Sequence, residues 1–226
     1  SLEKPVLYAD VNVLGSLRLL ELARKNGVRK VVYASTGGAA YGEPQRLPVD
    51  ESHPVNPLDP YGASKHHVEH YLFLYRHNYG LDYTVLRYPN VYGPRQDPLG
   101  EAGVVAIFTG QMLTGRHPLI NGSGEQERDF VYVGDIARAN VLALERGSGG
   151  IYNIGSGVGT SVNQVFAALK EATGYEGPEL HGPAKLGEVF KIYLDAGRAR
   201  DELGWEATVP LQEGIRHTVE YFRSRM

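Results

Sequence analysis

The 226-residue sequence contains no cysteine, so disulfides, thiolate nucleophiles and cysteine-bound zinc are all excluded. It has no excess of basic charge either. Its 23 lysines and arginines stand against 26 aspartates and glutamates, a formal net charge of −3. That balance gives no electrostatic reason to expect nucleic acid or an anionic membrane as a partner. No apolar run approaches the roughly 18 residues a membrane helix needs, and no charged-then-apolar leader opens the chain. The expected compartment is therefore the cytoplasm. What is present is ordinary for a globular domain: 42% hydrophobic and 22% charged residues. The 28 glycines and 15 tyrosines predict many tight turns and polar, aromatic-lined clefts.

Periodicity predicts strands alternating with helices. "DVNVLGSLRLLELARKNGV" reads as a helix whose apolar residues Val11, Val13, Leu14, Leu17, Leu19, Leu20 and Leu22 nearly encircle the axis. Such a ring predicts burial on more than one side. "RKVVYAS" reads as a buried strand, and a proline-rich loop leads into the helix "YGASKHHVEHYLFLYRHNYG". There Val68, Tyr71, Leu72 and Tyr75 make one apolar face. "DYTVLRYPNVYG" is a further strand, "GVVAIFTGQMLTG" a helix, and "GIYNIGSG" with "TSVNQVFAALKEATG" repeats the strand-then-helix order. The predicted class is α/β with a mainly parallel sheet.

Tyr61 and Lys65 stand four residues apart and thus on one helix face. A free phenol titrates near pH ~10, too high for a base at neutral pH, and a nearby ammonium favours its ionised form. The spacing alone is common. Its neighbours sharpen it: Ser35 and Thr36 end the preceding strand, where doubly wound sheets bind ligands, and Gly37-Gly38 follow. Tyr88, Asn90 and Arg95 end the next strand on the same rim.

"ASTGGAAYG", "YGASK", "LRYPNVYGPRQ" and "RDFVYVGDIA", in this order and spacing, resemble the extended short-chain dehydrogenase/reductases that act on nucleotide sugars. The likeness is nearest to the UDP-glucose (UDP-galactose) 4-epimerase group and runs through nearly the whole chain. It implies part of a Rossmann-like doubly wound sheet over 1–97 and 130–150, with a smaller nucleotide-sugar lobe over 98–129 and 151–226. It implies NAD as cofactor, a UDP-sugar as substrate, no metal, and 4-epimerisation by transient oxidation at C4. Tyr61 matches the family's proton-transfer tyrosine and Lys65 the lysine at the nicotinamide ribose. Thr36, with Ser35 as the alternative, matches the hydroxyl that bonds the reacting sugar oxygen. Asn12 and Tyr88 match cofactor contacts. Asn90 and Arg128 match the groups that hold the sugar diphosphate. The segment Gly103, Val104, Val105 matches a helix start that binds the diphosphate or uridine, and Leu119 to Asn121 would flank the base. Arg95, on the rim, and Lys185 with Glu188 are counted with the substrate side. The resemblance also implies a homodimer through the helices near Asn12 and Tyr61.

Two departures stand out. Where the family shows Arg-x-Gly-Asp, this chain has Lys185-Leu186-Gly187-Glu188, and lysine lacks the bidentate fork. The family's opening Gly-x-x-Gly-x-x-Gly loop is not in this sequence. That predicts an N-terminally truncated member whose first strand is an open edge, and it sets a catalytically weak nucleotide-sugar binder beside the enzyme as the alternative. "GSGVG", Gly155 to Gly159, reads as a helix-capping turn. His66 to His70 fits an inverted zinc-protease pattern but reads as a solvated or interface helix face. Asp50, Glu51 and Asp59 read as solvated loop charges. Gly37-Gly38 replace the acid pair of nucleotide-sugar dehydratases, which makes dehydration the lesser reading.

Overall fold

The computed structural model describes residues 1–98, 103–184 and 189–226. The chain begins with one continuous helical run: α1 (Pro5–Tyr8), a π-helical turn over Ala9–Leu14, and α2 (Gly15–Lys25). Pro5 starts it, at the position where a missing N–H costs nothing. The expectation that this helix is buried on several sides is not met within one chain. Leu20 is buried and Leu17 packs beside it, whereas Val11 is 61% and Leu19 68% exposed.

β1 (Lys30–Thr36) ends in the short turn α3 (Gly37–Ala40). After the proline-rich loop comes α4 (Pro60–Tyr79), then β2 (Asp82–Tyr88) and β3 (Asn90–Tyr92). Asp59 caps α4 by accepting a hydrogen bond from Gly62 N at 2.8 Å, and Gly80 closes it in the left-handed region. The remaining elements are α5 (Val104–Leu113), β4 (Leu119–Asn121), β5 (Glu127–Arg128), β6 (Phe130–Tyr132), α6 (Val133–Glu145), β7 (Gly150–Asn153) and β8 (Thr160–Ser161). They are followed by α7 (Val162–Thr173), β9 (Leu180–Gly182), β10 (Lys191–Ile192), a π-helical turn over Ala199–Leu203, and α8 (Leu211–Arg223).

β1, β2 and β7 form a parallel sheet in that order, with β1 at its edge within this chain. β7 lies across the boundary expected at residue 150, yet it is the third strand of this sheet. One face is covered by α2 and α4 through Leu20, Val68, Leu72 and Tyr75. The other is covered by α6 and the Ala199–Leu203 turn, around a fully buried Trp205 whose Nε1 donates to Asp135 O at 2.8 Å. A second core, built from Val105, Phe108, Phe166, Leu169 and Ile215 on α5, α7 and α8, joins the sheet region through Tyr92 and Phe130. Among the described residues no helix is long and apolar enough to cross a membrane.

The register Thr36↔Tyr88 brings β1 and β2 to an end at one level, beside the start of α4. Gly62 allows that approach. A Cβ there would stand 2.6 Å from the Ala39 carbonyl oxygen, which is backbone and cannot swing aside. Gly62→Ala is expected to destabilise the chain by about 1–3 kcal/mol, an overpacking cost, in urea unfolding. An unchanged midpoint would show that α3 and α4 yield freely.

Candidate active site

Strand alternation sends Ser35 and Thr36 to opposite sides of β1. Ser35 is buried under α4, where its Oγ donates to Glu69 Oε1 at 2.6 Å. Thr36 instead lines a cleft of about 320 Å³ beyond the strand ends. Its Oγ1 accepts from Ala39 N at 3.2 Å and so caps α3, a contact that does not use the hydroxyl proton. Of the two hydroxyls left open by the sequence, Thr36 is the one that reaches the cleft.

Tyr61, in the first turn of α4, lines the cleft together with Thr36 and Gly38 and packs edge-on against Tyr8. One turn further, Lys65 Nζ donates to Ala34 O at 3.0 Å and lies 5.2 Å from the Tyr33 ring. Burial lowers the Lys65 pKa. Burial, reinforced by the Glu69 charge and by Tyr61, pushes the Tyr33 phenol up, which keeps Tyr33 neutral. Glu69 behaves differently. Burial alone would raise its carboxyl, but hydrogen bonds from Arg87, His66 and Ser35 and the Arg87 charge outweigh burial and bring it down to about 2.

Asn12 Nδ2 donates to Ser64 Oγ at 2.9 Å, which ties the first helical run to α4. Tyr88 Oη donates to Asn140 Oδ1 at 2.9 Å, on α6. Neither lines the cleft: Asn12 is held against α4 and Tyr88 against α6.

Asn90, Arg128 and Gly103 to Val105 line the same cleft. Gly103 is the N-cap of α5 and brings no capping side chain, so the first N–H groups of α5 have no side-chain cap. Arg128 Nη1 donates to Glu127 O and Phe190 O, which holds the guanidinium at the cleft wall. Asn90 and Arg128 are joined through Asp129. Its carbonyl accepts from Asn90 N at 2.9 Å, and its buried carboxylate accepts from Ser156 N and Oγ, Gly157 N and Leu194 N. The turn Gly155 to Gly159 therefore wraps this carboxylate. The helix cap expected of that turn is made instead by Ser161 with Gln164.

Other expectations are corrected. Arg95 does not reach the cleft: the tight turn after β3 puts it at an exposed tip with φ 71°, and the next residue, Gln96, lines the wall. Among the described residues the cleft does not extend to Leu119 or Asn121, which lie on β4 paired with β9. Lys185 and Glu188 lie outside the described residues. Glu69 is not on a solvated face but in a buried ion pair with Arg87 at 2.6 Å. Asp59 is a helix cap, and the half-buried Glu51 accepts from Asn153 N at 2.7 Å. Among the described residues no group of three or more His, Asp or Glu is placed to hold a metal ion. Gln96 and Ala39 were not foreseen. The signal for Gln96 was its place beside Arg95 in "GPRQDP", where only side-chain direction separates the two.

Residues 1–155 match the model of the NAD dependent epimerase/dehydratase family. The chain is similar to a putative UDP-glucose 4-epimerase of Methanocaldococcus jannaschii, 50% identical over 99% of this chain and 73% of that protein. Its fold superposes on the UDP-glucose 4-epimerase of Thermotoga maritima, solved with UDP-glucose, with a TM-score of 0.98 and 52% identity over 100% of this chain and 73% of that one. The Thermus thermophilus UDP-glucose 4-epimerase, solved with NAD, gives a TM-score of 0.94 and 47% identity over 100% of this chain and 74% of that one.

The Glu69 carboxyl binds its proton less tightly in the folded chain, near 2, than the roughly 4.3 of an unfolded one. Between those values the unfolded state holds more protons, so stability rises with pH there. The stabilisation is complete above the unfolded value and is lost as pH falls toward 2. Glu69→Gln is expected to flatten the acid limb of the unfolding-midpoint curve in that window. A variant limb as steep as the parent's would assign the acid sensitivity to other groups.

Proposed function

Because the chain belongs to the NAD-dependent epimerase/dehydratase family, we propose that it interconverts UDP-glucose and UDP-galactose by inverting C4 through transient oxidation. The observation that carries this reading is the lining of one cleft, in which a hydroxyl and a phenol, Thr36 and Tyr61, are gathered with Asn90, Arg128 and the N-terminus of α5. A pyranose linked to a diphosphate presents the matching pair, a reacting hydroxyl and a dianion.

NAD, the family's cofactor, would supply a reversible hydride acceptor for C4 when bound. The donor set beside Tyr61 fits its nicotinamide end. Lys65 has three N–H groups and spends one on Ala34 O, which leaves two for ribose hydroxyls. Tyr61, Asn12 and Tyr88 complete that side. Tyr61 Oη takes the C4 hydroxyl proton and gives it back, while Thr36 Oγ1 holds the same oxygen in place. The Lys65 ammonium, one helical turn from Tyr61, favours the ionised phenol. In the same cleft the Arg128 guanidinium and the α5 N–H groups hold the diphosphate. The 4-keto sugar turns between its two faces while that anchor stays fixed.

The same proposal includes a homodimer. Val11, Leu19 and Leu22 on the first helical run, with the 51%-exposed Phe73 on α4, leave an apolar surface uncovered in the single chain. Light scattering at micromolar concentration is expected to give twice the chain mass, and Leu19→Glu to give the monomer; a monomeric parent would contradict it.

Tyr61→Phe is expected to lower UDP-galactose turnover by about 10²–10⁴-fold at saturating NAD, the usual worth of a positioned acid-base group, while leaving UDP binding intact. Undiminished turnover would overturn the assignment. A parent chain that binds UDP-glucose and converts none would instead mark it as a nucleotide-sugar binder.

A further inference from the structure

Beneath the cleft lies a layer of polar groups that proton transfer does not touch. Tyr61, Lys65 and Glu69 follow at four-residue steps along α4 and share one face. Glu69 is 3% exposed. Its Oε1 accepts from Ser35 Oγ at 2.6 Å and Arg87 Nε at 3.0 Å, and its Oε2 accepts from Arg87 Nη2 at 2.6 Å and lies 3.0 Å from His66 Nδ1. Ser35 and Arg87 are register partners across β1 and β2, and Arg87 and Asn153 across β2 and β7. Arg87 Nη1 donates to Tyr41 Oη at 2.8 Å, which in turn donates to Asn153 Oδ1 at 2.7 Å. One polar chain thus crosses all three strands, a single residue below the level of Thr36 and Tyr88.

Stability does not require such a chain, since apolar residues of similar volume commonly hold a core as well as a buried ion pair does. Direction is what apolar packing lacks. Val68, Leu72 and Tyr75 would bury nearly as well if α4 slid along the sheet, whereas a bidentate carboxylate–guanidinium pair tolerates little displacement. We propose that Glu69 is a positioning residue: through Ser35 and Arg87 it fixes the offset of α4 against β1, and with it the separation of Tyr61 from Thr36. The inference rests on the epimerase reading for the roles of those two groups.

The test uses the full chain with saturating NAD. Ser35→Ala removes one link and leaves the ion pair; kcat is expected to fall about 5-fold, the scale of one ordinary hydrogen bond, with KM for UDP-glucose unchanged. The double variant Glu69→Met with Arg87→Met removes the whole link and leaves no unpaired charge. Its kcat is expected to fall on the order of 100-fold, the scale of a 1 Å misplacement, again with KM unchanged. Adding Ser35→Ala to the double variant is expected to cost nothing more, because its partner is already gone. Parent-like kcat in the single and double variants, loss confined to KM, or a full additional loss in the triple variant would each overturn the inference. Amide hydrogen exchange supplies a readout that needs neither turnover nor a folded double variant. Ser35→Ala is expected to speed exchange at Ala39, whose N–H is bonded to Thr36, and unchanged exchange there would also overturn the inference. A parent that binds but does not convert UDP-glucose would refute the function reading alone, with the exchange comparison still deciding the positioning claim.

Discussion

The placement of α4 over the ends of β1 and β2 governs everything that happens in the cleft. Apolar burial of Val68, Leu72 and Tyr75 supplies most of the attraction, but it fixes orientation only loosely. Three directional contacts complete the attachment: Lys65 to the Ala34 carbonyl, Tyr33 Oη to the Lys65 carbonyl, and Glu69 to the Ser35–Arg87 pair. Each joins the helix that carries the phenol to the strand that carries Thr36. An acid-base step needs reacting atoms held to fractions of an ångström, so hydrogen bonds matter here beyond their net contribution to stability.

A second joint sets the wall of the cleft that carries Asn90 and Arg128. Asp129 lies between Arg128 and Phe130, and its carboxylate gathers backbone N–H groups from the Gly155–Gly159 turn and from Leu194. Burial raises its pKa while those bonds oppose the rise, a balance suited to a structural anchor. Its carbonyl also accepts from Asn90 N. The wall that carries Asn90 and Arg128 is therefore braced by segments distant in sequence, as the Thr36–Tyr61 pairing is. Gly38, Ala39 and Phe130 add small or apolar groups to the cleft walls.

Much of this was legible in the sequence because the relevant signals are local. The i, i+4 spacing of Tyr61 and Lys65, the hydroxyls at the end of β1 and the glycines after them depend only on strand and helix periodicity. What could not be read depends on contacts between distant segments. Glu69 sits among histidines and looks solvated, since only the fold brings Arg87 and Ser35 to it. Arg95 and Gln96 are adjacent polar residues, and a left-handed backbone at Arg95 decides which one faces the cleft. The Gly155–Gly159 turn resembles a cap until Asp129 is seen inside it. The ring of apolar residues around the first helix is plain in the sequence, but its outer half lies bare in the single chain.

The central claim is spatial: the sugar's C4 oxygen sits between one phenol and one hydroxyl. A crystal structure of the chain with NAD and UDP-glucose tests it most directly. The expected result is a C4 oxygen within about 2.6–3.2 Å of both Tyr61 Oη and Thr36 Oγ1, with the diphosphate against Arg128 and the start of α5. A pyranose bound with C4 turned away from Tyr61, or a diphosphate seated elsewhere, would contradict it.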